Sequence, residues 1–261
     1  MLLKKFFMRA IWTGAIGFGL VNIPVKLYSA SQQSDLDLDM LDQRDHAHIK
    51  FKRVNGNTGK EIPWNHIVRG YKYQGDYVVL DEKDFELASP KKSKVVEIIN
   101  FVAEKDIDSV YFEIPYYLQP EKSGAKAYNL LREALNKSGK AALGNFVLRN
   151  KEHLCVIKPY GDVLVLNKIR FAEEIKDPSE LSVPRNTKPK AEEMKMAMTL
   201  IDQLTSKFNI GKYKDTYKDE LLKLIKAKAK GKEIRHSPLK VTHRKTDDLM
   251  AQLKASLKKA S

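Results

Sequence analysis

Apolar positions along this chain change period twice, and the changes mark out its parts. Between residues 10 and 30, glycines at 14, 17 and 19 punctuate a run rich in Ala, Ile, Val and Leu. The run reads as strands with a bend at 22–24, where a proline pushes its predecessor extended. Residues 48–54 (His-Ile-Lys-Phe-Lys-Arg-Val) alternate polar and apolar, the period of a half-exposed strand. The turn-forming Asn55-Gly-Asn-Thr-Gly59 follows, so a hairpin with a basic face is predicted. Further strands are predicted at 77–80, 95–102, 110–113, 145–148 and 153–171. One helix interrupts them: Ala125, Tyr128, Leu131 and Leu135 have helical spacing, and Ser138-Gly139 ends the pattern.

Past residue 177 the period becomes helical. Three prolines in 177–190 predict a linker or extended strap. Met194, Ala197, Met198, Ile201, Leu204 and Phe208 then fall on one helical stripe. Thr216 and Asp219 form a capping-box pair ahead of the apolar 221–225. A last helix is predicted over 247–259, with acids at its start and lysines at its end, as the helix dipole prefers. No segment recurs at a 20–50-residue period, which excludes a repeat architecture.

With 261 residues, 43% of them apolar, the chain has enough material for a core. Its net charge of +14 calls for a polyanionic partner. That charge is uneven: residues 185–261 hold 20 Lys and Arg against 9 Asp and Glu, so +11 of the +14 belongs to the tail. Lone Cys155, in an apolar run, excludes an internal disulfide and a multi-thiol metal site. Apolar runs fall short of the ~20 residues of a membrane helix. Residues 1–7 resemble the start of a signal peptide, but Arg9 breaks the apolar core that should follow. We read them as a prefix before Met8 and expect a cytoplasmic, nucleoid-associated protein without a membrane partner.

Between His48 and Lys72 six cations (Lys50, Lys52, Arg53, Lys60, Arg69, Lys72) face a single acid, Glu61. On a strand Lys50 and Lys52 share one face, which can follow a phosphate backbone without reading bases, or simply protect a solvated edge. Residues 76–121 carry eleven acids against five lysines, so the basic surface is local. Other motifs fail on spacing. His46, His48 and His66 do not form a compact ligand set, and Asp35-Leu-Asp-Leu-Asp-Met lacks the glycine and glutamate of an EF-hand. Gly56-Asn-Thr-Gly-Lys60 is too short for a P-loop. Gly17-Phe-Gly-Leu-Val21 echoes an RNA-recognition strand, which keeps an RNA-binding module with a lysine-rich tail as the alternative. There is no Ser/His/Asp constellation, no Lys-x-Asp-Gly and no convincing carboxylate pair. We therefore expect a binder rather than an enzyme, with no cofactor and no metal.

Several stretches together resemble the bacterial Ku family: residues 8–30; Arg44-Asp-His-x-His-Ile-Lys-Phe-Lys-Arg-Val54; Gly59-Lys-Glu-Ile-Pro63; Ile67-Val-Arg-Gly-Tyr-Lys-Tyr73; and, in the tail, Lys195-Met-Ala197, Leu200-Ile-Asp202, Tyr213-x-Asp-Thr-Tyr217 and 222–234. The resemblance implies a mixed β/α fold: a Ku-type β-barrel core over 8–190, an extended bridge at about 33–72, a helical C-terminal arm over 191–234 and a basic extension over 235–261. It also implies a homodimeric ring that holds double-stranded DNA ends in non-homologous end joining and recruits an ATP-dependent DNA repair ligase. DNA contact is carried over to Lys50, Lys52, Arg53, Lys60 and Arg69, and to Lys26 and Arg149 from the barrel. In the tail it is carried to Lys226, Lys228, Lys230, Lys232, Arg235, Arg244 and Lys245. Where some relatives have Cys-x-x-Cys, this chain has Asn55-Gly-Asn-Thr, which removes any expectation of zinc.

Overall fold

The computed structural model describes residues 8–88, 94–149, 151–184, 188–232 and 249–260. The 1–7 prefix therefore lies outside the described residues. In chain order the elements are β1 (Trp12–Phe18), β2 (Val21–Ser29), β3 (Arg69–Tyr73), β4 (Asp76–Leu80), α1 (Glu82–Ala88), β5 (Val95–Ala103) and β6 (Phe112–Pro120). There follow α2 (Ala125–Ser138), β7 (Lys140–Leu148), β8 (Lys151–Tyr160) and β9 (Val163–Ile169), then α3 (Ala191–Leu204), α4 (Thr216–Lys228) and α5 (Leu249–Ala260). The chain divides into two compact units. One runs to Asp177 apart from Asp35–Asp37; the other holds Asp35–Asp37 and the chain from Pro178 on.

Seven strands close into a barrel in the order β1-β2-β6-β9-β8-β7-β5. Every pairing is antiparallel except the closing one, β1 with β5. Alternate residues point inward, so Ile23, Val25 and Leu27 of β2 meet Leu118, Leu164 and Leu166 in one buried cluster. Helix α2 adds Tyr128, Leu131 and Leu135 to that cluster. Tyr128 donates its hydroxyl to the Leu118 carbonyl at 2.6 Å and accepts the Leu164 N–H at 2.6 Å, so the helix is bonded to two neighbouring strands. Gly139 ends α2 in the left-handed region at φ 62, as its position in the sequence predicts. A smaller cluster of Ala141, Val156 and Ile169 lies under Ile107, Tyr111 and Phe112.

Several sequence-based boundaries move. Pro24 does not bend the chain; it lies within β2, level with Ala15 of β1. There β6 has not yet joined, since it pairs only from Val25, so β2 has one strand neighbour and tolerates a missing N–H. The turn falls instead at Gly19 (φ 58), which puts the RNA-recognition-like Gly17–Val21 at a hairpin tip, where Phe18 packs edge-on against Phe101. The single strand predicted over 153–171 is two, turned at Gly161 (φ 56). The predicted 48–54 strand is not one: the backbone between the isolated bridges Leu41↔His48 and Val54↔Glu61 pairs with no other strand. The alternating pattern is real in the sequence, but among the described residues it has no partner strand.

In the second unit α3 packs against α5. Its half-buried apolar positions are Met196, Ala197 and Leu200, whereas Met194, Met198, Ile201 and Leu204 of the predicted stripe stay exposed and Phe208 lies past the helix end. The cap of α4 is Asp215, whose carboxylate accepts the Lys218 N–H; Thr216 is already helical. No helix among the described residues is long and apolar enough to cross a membrane.

Candidate nucleic-acid interface

Residues 30–68 have no regular strand or α-helix and are held by local backbone–backbone and side-chain-to-backbone hydrogen bonds. Asp42 accepts the Arg44 N–H at 2.9 Å and its guanidinium at 2.6 Å, which holds the Asp42 carboxyl below its ordinary range. Asp45 accepts the Ala47 N–H, and Asn55 accepts those of Asn57 and Thr58. Such Asx turns fix backbone locally without a core. A two-stranded sheet follows, β3 and β4, turned at Gln74 (φ 49) and Gly75 (φ 106). Its side chains are exposed on both faces, including Tyr71, Tyr73, Tyr77 and Val79.

On this framework the predicted cations fall into distinct settings. Lys50, Lys52 and Arg53 lie close together in sequence, all exposed, where the chain forms neither strand nor helix. Lys52 reaches Glu61 at 2.7 Å, Arg53 stacks 4.4 Å from the centre of the Trp64 ring, and Lys60 is exposed in the adjoining turn. Arg69 opens β3 and lies 5.0 Å from the Phe85 ring. Arg149, which directly follows β7, has a left-handed φ of 53. It lines one cleft together with Arg69 and with Lys151, a cation the sequence reading missed although it stands two residues from Arg149. The aromatic partners of Arg53 and Arg69 were missed too; their signal was the interleaving of rings with basic residues. Lys26 sits apart on the outer face of β2, beside Glu121 at 3.9 Å.

Strand directions put the end of β2, the start of β5 and the end of β7 at the same end of the barrel, so the chain leaves the barrel after β2 and re-enters it at β5 from that end. That end is polar. Lys168 pairs with Glu113 at 3.0 Å, and His153 packs against Phe146 with 5.7 Å between ring centres. Burial, reinforced by Lys168 and Lys151, pushes the His153 pKa down; burial pushes Tyr116 up.

In the second unit Lys226 and Lys228 project from the last turn of α4, with Lys230 and Lys232 just beyond it, all exposed. Arg235, Arg244 and Lys245 lie outside the described residues. His48 stands 3.9 Å from Asp39, but no three potential metal ligands converge among the described residues.

A barrel interrupted by a long basic, aromatic-rich insertion matches a known family model, that of the Ku70/Ku80 beta-barrel domain, over residues 17–198. The chain belongs to the Ku family. The match starts within β1 and ends within α3, so it takes in the end of β1, the other six barrel strands and the insertion. Among curated relatives, the "Non-homologous end joining protein Ku" of Cupriavidus necator is 44% identical over 226 residues, 84% of this chain and 67% of the relative. The Bacillus subtilis protein of the same name is 40% identical over 97% of this chain and 84% of its own length. An archaeal relative so named, from Archaeoglobus fulgidus, is 36% identical over 87% of this chain and 90% of its own.

Proposed function

We propose that two copies of this chain close into a ring that takes double-stranded DNA by its ends, indifferent to sequence, and presents them to an ATP-dependent repair ligase. One observation carries the reading: the insertion displays Lys50, Lys52, Arg53, Lys60 and Arg69 on exposed backbone with no core beneath it. The name its relatives carry, non-homologous end joining protein, supports the end-joining part of the reading.

The cations act on phosphate. Contacts to the backbone hold a duplex in place without reading its bases, and released counterions supply the affinity. A closed ring cannot take an uninterrupted duplex from the side, so it loads at termini and slides inward. The second copy is needed for a physical reason. An isolated two-stranded hairpin is marginal in water, and β3–β4 exposes tyrosine and valine on both faces. A partner protomer would cover those side chains and complete the enclosure. The lysines at the end of α4 add a further phosphate contact, and the exposed apolar side chains of α3 offer the ligase a docking face. The protein then works by positioning ends, without bond chemistry of its own.

Sedimentation of the purified protein, alone and with a short duplex, tests the assembly; a dimer that stays a dimer on DNA is expected. Single-stranded RNA added as competitor should displace the duplex poorly. A monomer, or a preference for RNA, overturns the reading.

A further inference from the structure

Two loops of the insertion, residues 40–49 and 53–62, are built alike, although at matched positions only Ile49 and Ile62 are the same residue. In the first, the Asp42 N–H donates to the Ala47 carbonyl at 2.9 Å, the His46 N–H to the Asp42 carbonyl at 2.8 Å and the Ile49 N–H to the Met40 carbonyl at 2.9 Å. The same three bonds recur in the second: Asn55 to Lys60 at 2.9 Å, Gly59 to Asn55 at 2.8 Å and Ile62 to Arg53 at 2.8 Å. The left-handed residue falls at the matching place, His46 (φ 58) and Gly59 (φ 67). So does the side chain that opens each turn. Asp42 Oδ1 accepts the Arg44 N–H and Asn55 Oδ1 the Asn57 N–H, each at 2.9 Å. A single bridge closes each loop, Leu41↔His48 and Val54↔Glu61.

The short span between the loops carries the basic residues. The first loop makes its last bond at Ile49, Lys50 and Lys52 follow, and the Arg53 carbonyl already belongs to the second loop. Neither a partner strand nor a core holds this span, and Phe51 within it is 79% exposed. Its two ends are fixed by the two turns instead. The second turn also separates Arg53 from Trp64, the two side chains that stack across it at 4.4 Å. A segment ordered beforehand loses less freedom on binding and so binds more tightly. We infer that Asp42 and Asn55 are positioning residues for DNA contact: by accepting backbone N–H groups they hold Lys50, Lys52 and Arg53 at a set spacing, with no need to touch phosphate themselves. This rests on the DNA-end reading above.

Asp42 separates positioning from charge. It is an acid close in sequence to the cations, so on electrostatics alone its removal would tighten binding to DNA. Positioning requires the opposite. The full chain is compared with Asp42→Ala, Asp42→Asn, Asn55→Ala and Asn55→Ser. Hydrogen exchange over residues 40–62, read by mass spectrometry, follows the loops in the free protein, and filter binding of a blunt duplex across a salt series follows contact. Both alanine variants should exchange faster and bind about three- to tenfold more weakly. Their slope of log affinity against log salt should stay as it was, because every cation is still present. Asn at 42 and Ser at 55 keep an acceptor for the turn and should return affinity to within about twofold of the unaltered protein, or above it for Asp42→Asn. Tighter binding by Asp42→Ala, unchanged exchange in the alanine variants, faster exchange with unchanged affinity, or failure of Asn and Ser to restore binding would each overturn the inference. Failure of the unaltered protein to bind the blunt duplex would instead strike the DNA-end reading on which it depends.

Discussion

The guanidinium of Arg53 lies 4.4 Å from the centre of the Trp64 ring, in a segment where neither side chain has a buried core to rest on. A planar cation stacked in this way is held in few orientations before DNA arrives. At an exposed site the contact is worth about 0.5–1 kcal/mol. Trp64→Leu should therefore weaken blunt-duplex binding by about two- to fivefold and leave the thermal midpoint unchanged. A lowered midpoint in differential scanning calorimetry would show that the indole serves stability instead.

Lys52 divides its charge between Glu61, 2.7 Å away, and any phosphate that approaches. Glu61→Gln frees it. An exposed pair of this kind is worth about 0.2–1 kcal/mol, so duplex affinity should rise by up to about fivefold in low salt, with the gain fading as salt increases. Filter binding across a salt series checks this, and lower affinity in the variant would count against phosphate contact by Lys52.

Charge reversal at Lys50, Lys52 and Arg53 together should weaken binding to all duplex sequences alike and flatten the dependence of log affinity on log salt by about one unit per lost contact. The unaltered protein, if it neutralises about six to ten phosphates, should lose about 10³–10⁵ in affinity between 50 and 200 mM salt. A variant that relaxes preference for particular bases would point to groove readout.

Tyr128 ties α2 to β6 and β9 through two bonds made by one oxygen. Tyr128→Phe leaves a buried carbonyl and a buried N–H without that partner and should cost about 1–3 kcal/mol of stability, read from urea denaturation. DNA affinity of the folded fraction should not move, because the helix packs on the barrel core and not on the basic insertion.

Stability should fall on both sides of neutrality. His153 has its pKa lowered by burial, so the folded state favours the neutral ring. Its contribution is present above the ordinary value of 6.5 and is lost as pH falls below that. Cys155 is buried with its pKa pushed well up, so the unfolded thiol ionises first and stability declines as pH rises past the ordinary value of 9.0. Denaturation midpoints measured from pH 5 to about 10 should trace this plateau. Fast alkylation of Cys155 in the native protein would contradict its burial.

What the sequence made legible follows physical lines. Helix α2 was readable because Tyr128, Leu131 and Leu135 recur at helical spacing and Gly139 stops them. The turn at Gly161 was passed over because apolar residues recur on both sides of it, at 154–157 in β8 and 163–166 in β9, although Gly161-Asp162 between them is a turn signal. Residues 48–54 misled because a strand needs a partner to pair with; without one the apolar Ile49 and Phe51 are exposed just as Lys50 and Lys52 are. The basic residues of the insertion were visible as a local charge excess. Lys151 and the stacking rings were not, since they meet Arg149 and Arg69 only after the barrel closes and returns the chain to its own mouth.

Binding to a short linear duplex, set against binding to the same duplex ligated into a minicircle, asks most directly whether DNA must be threaded. An encircling dimer predicts retarded complexes with the open fragment and essentially none with the circle. Equal retardation of the two would contradict it.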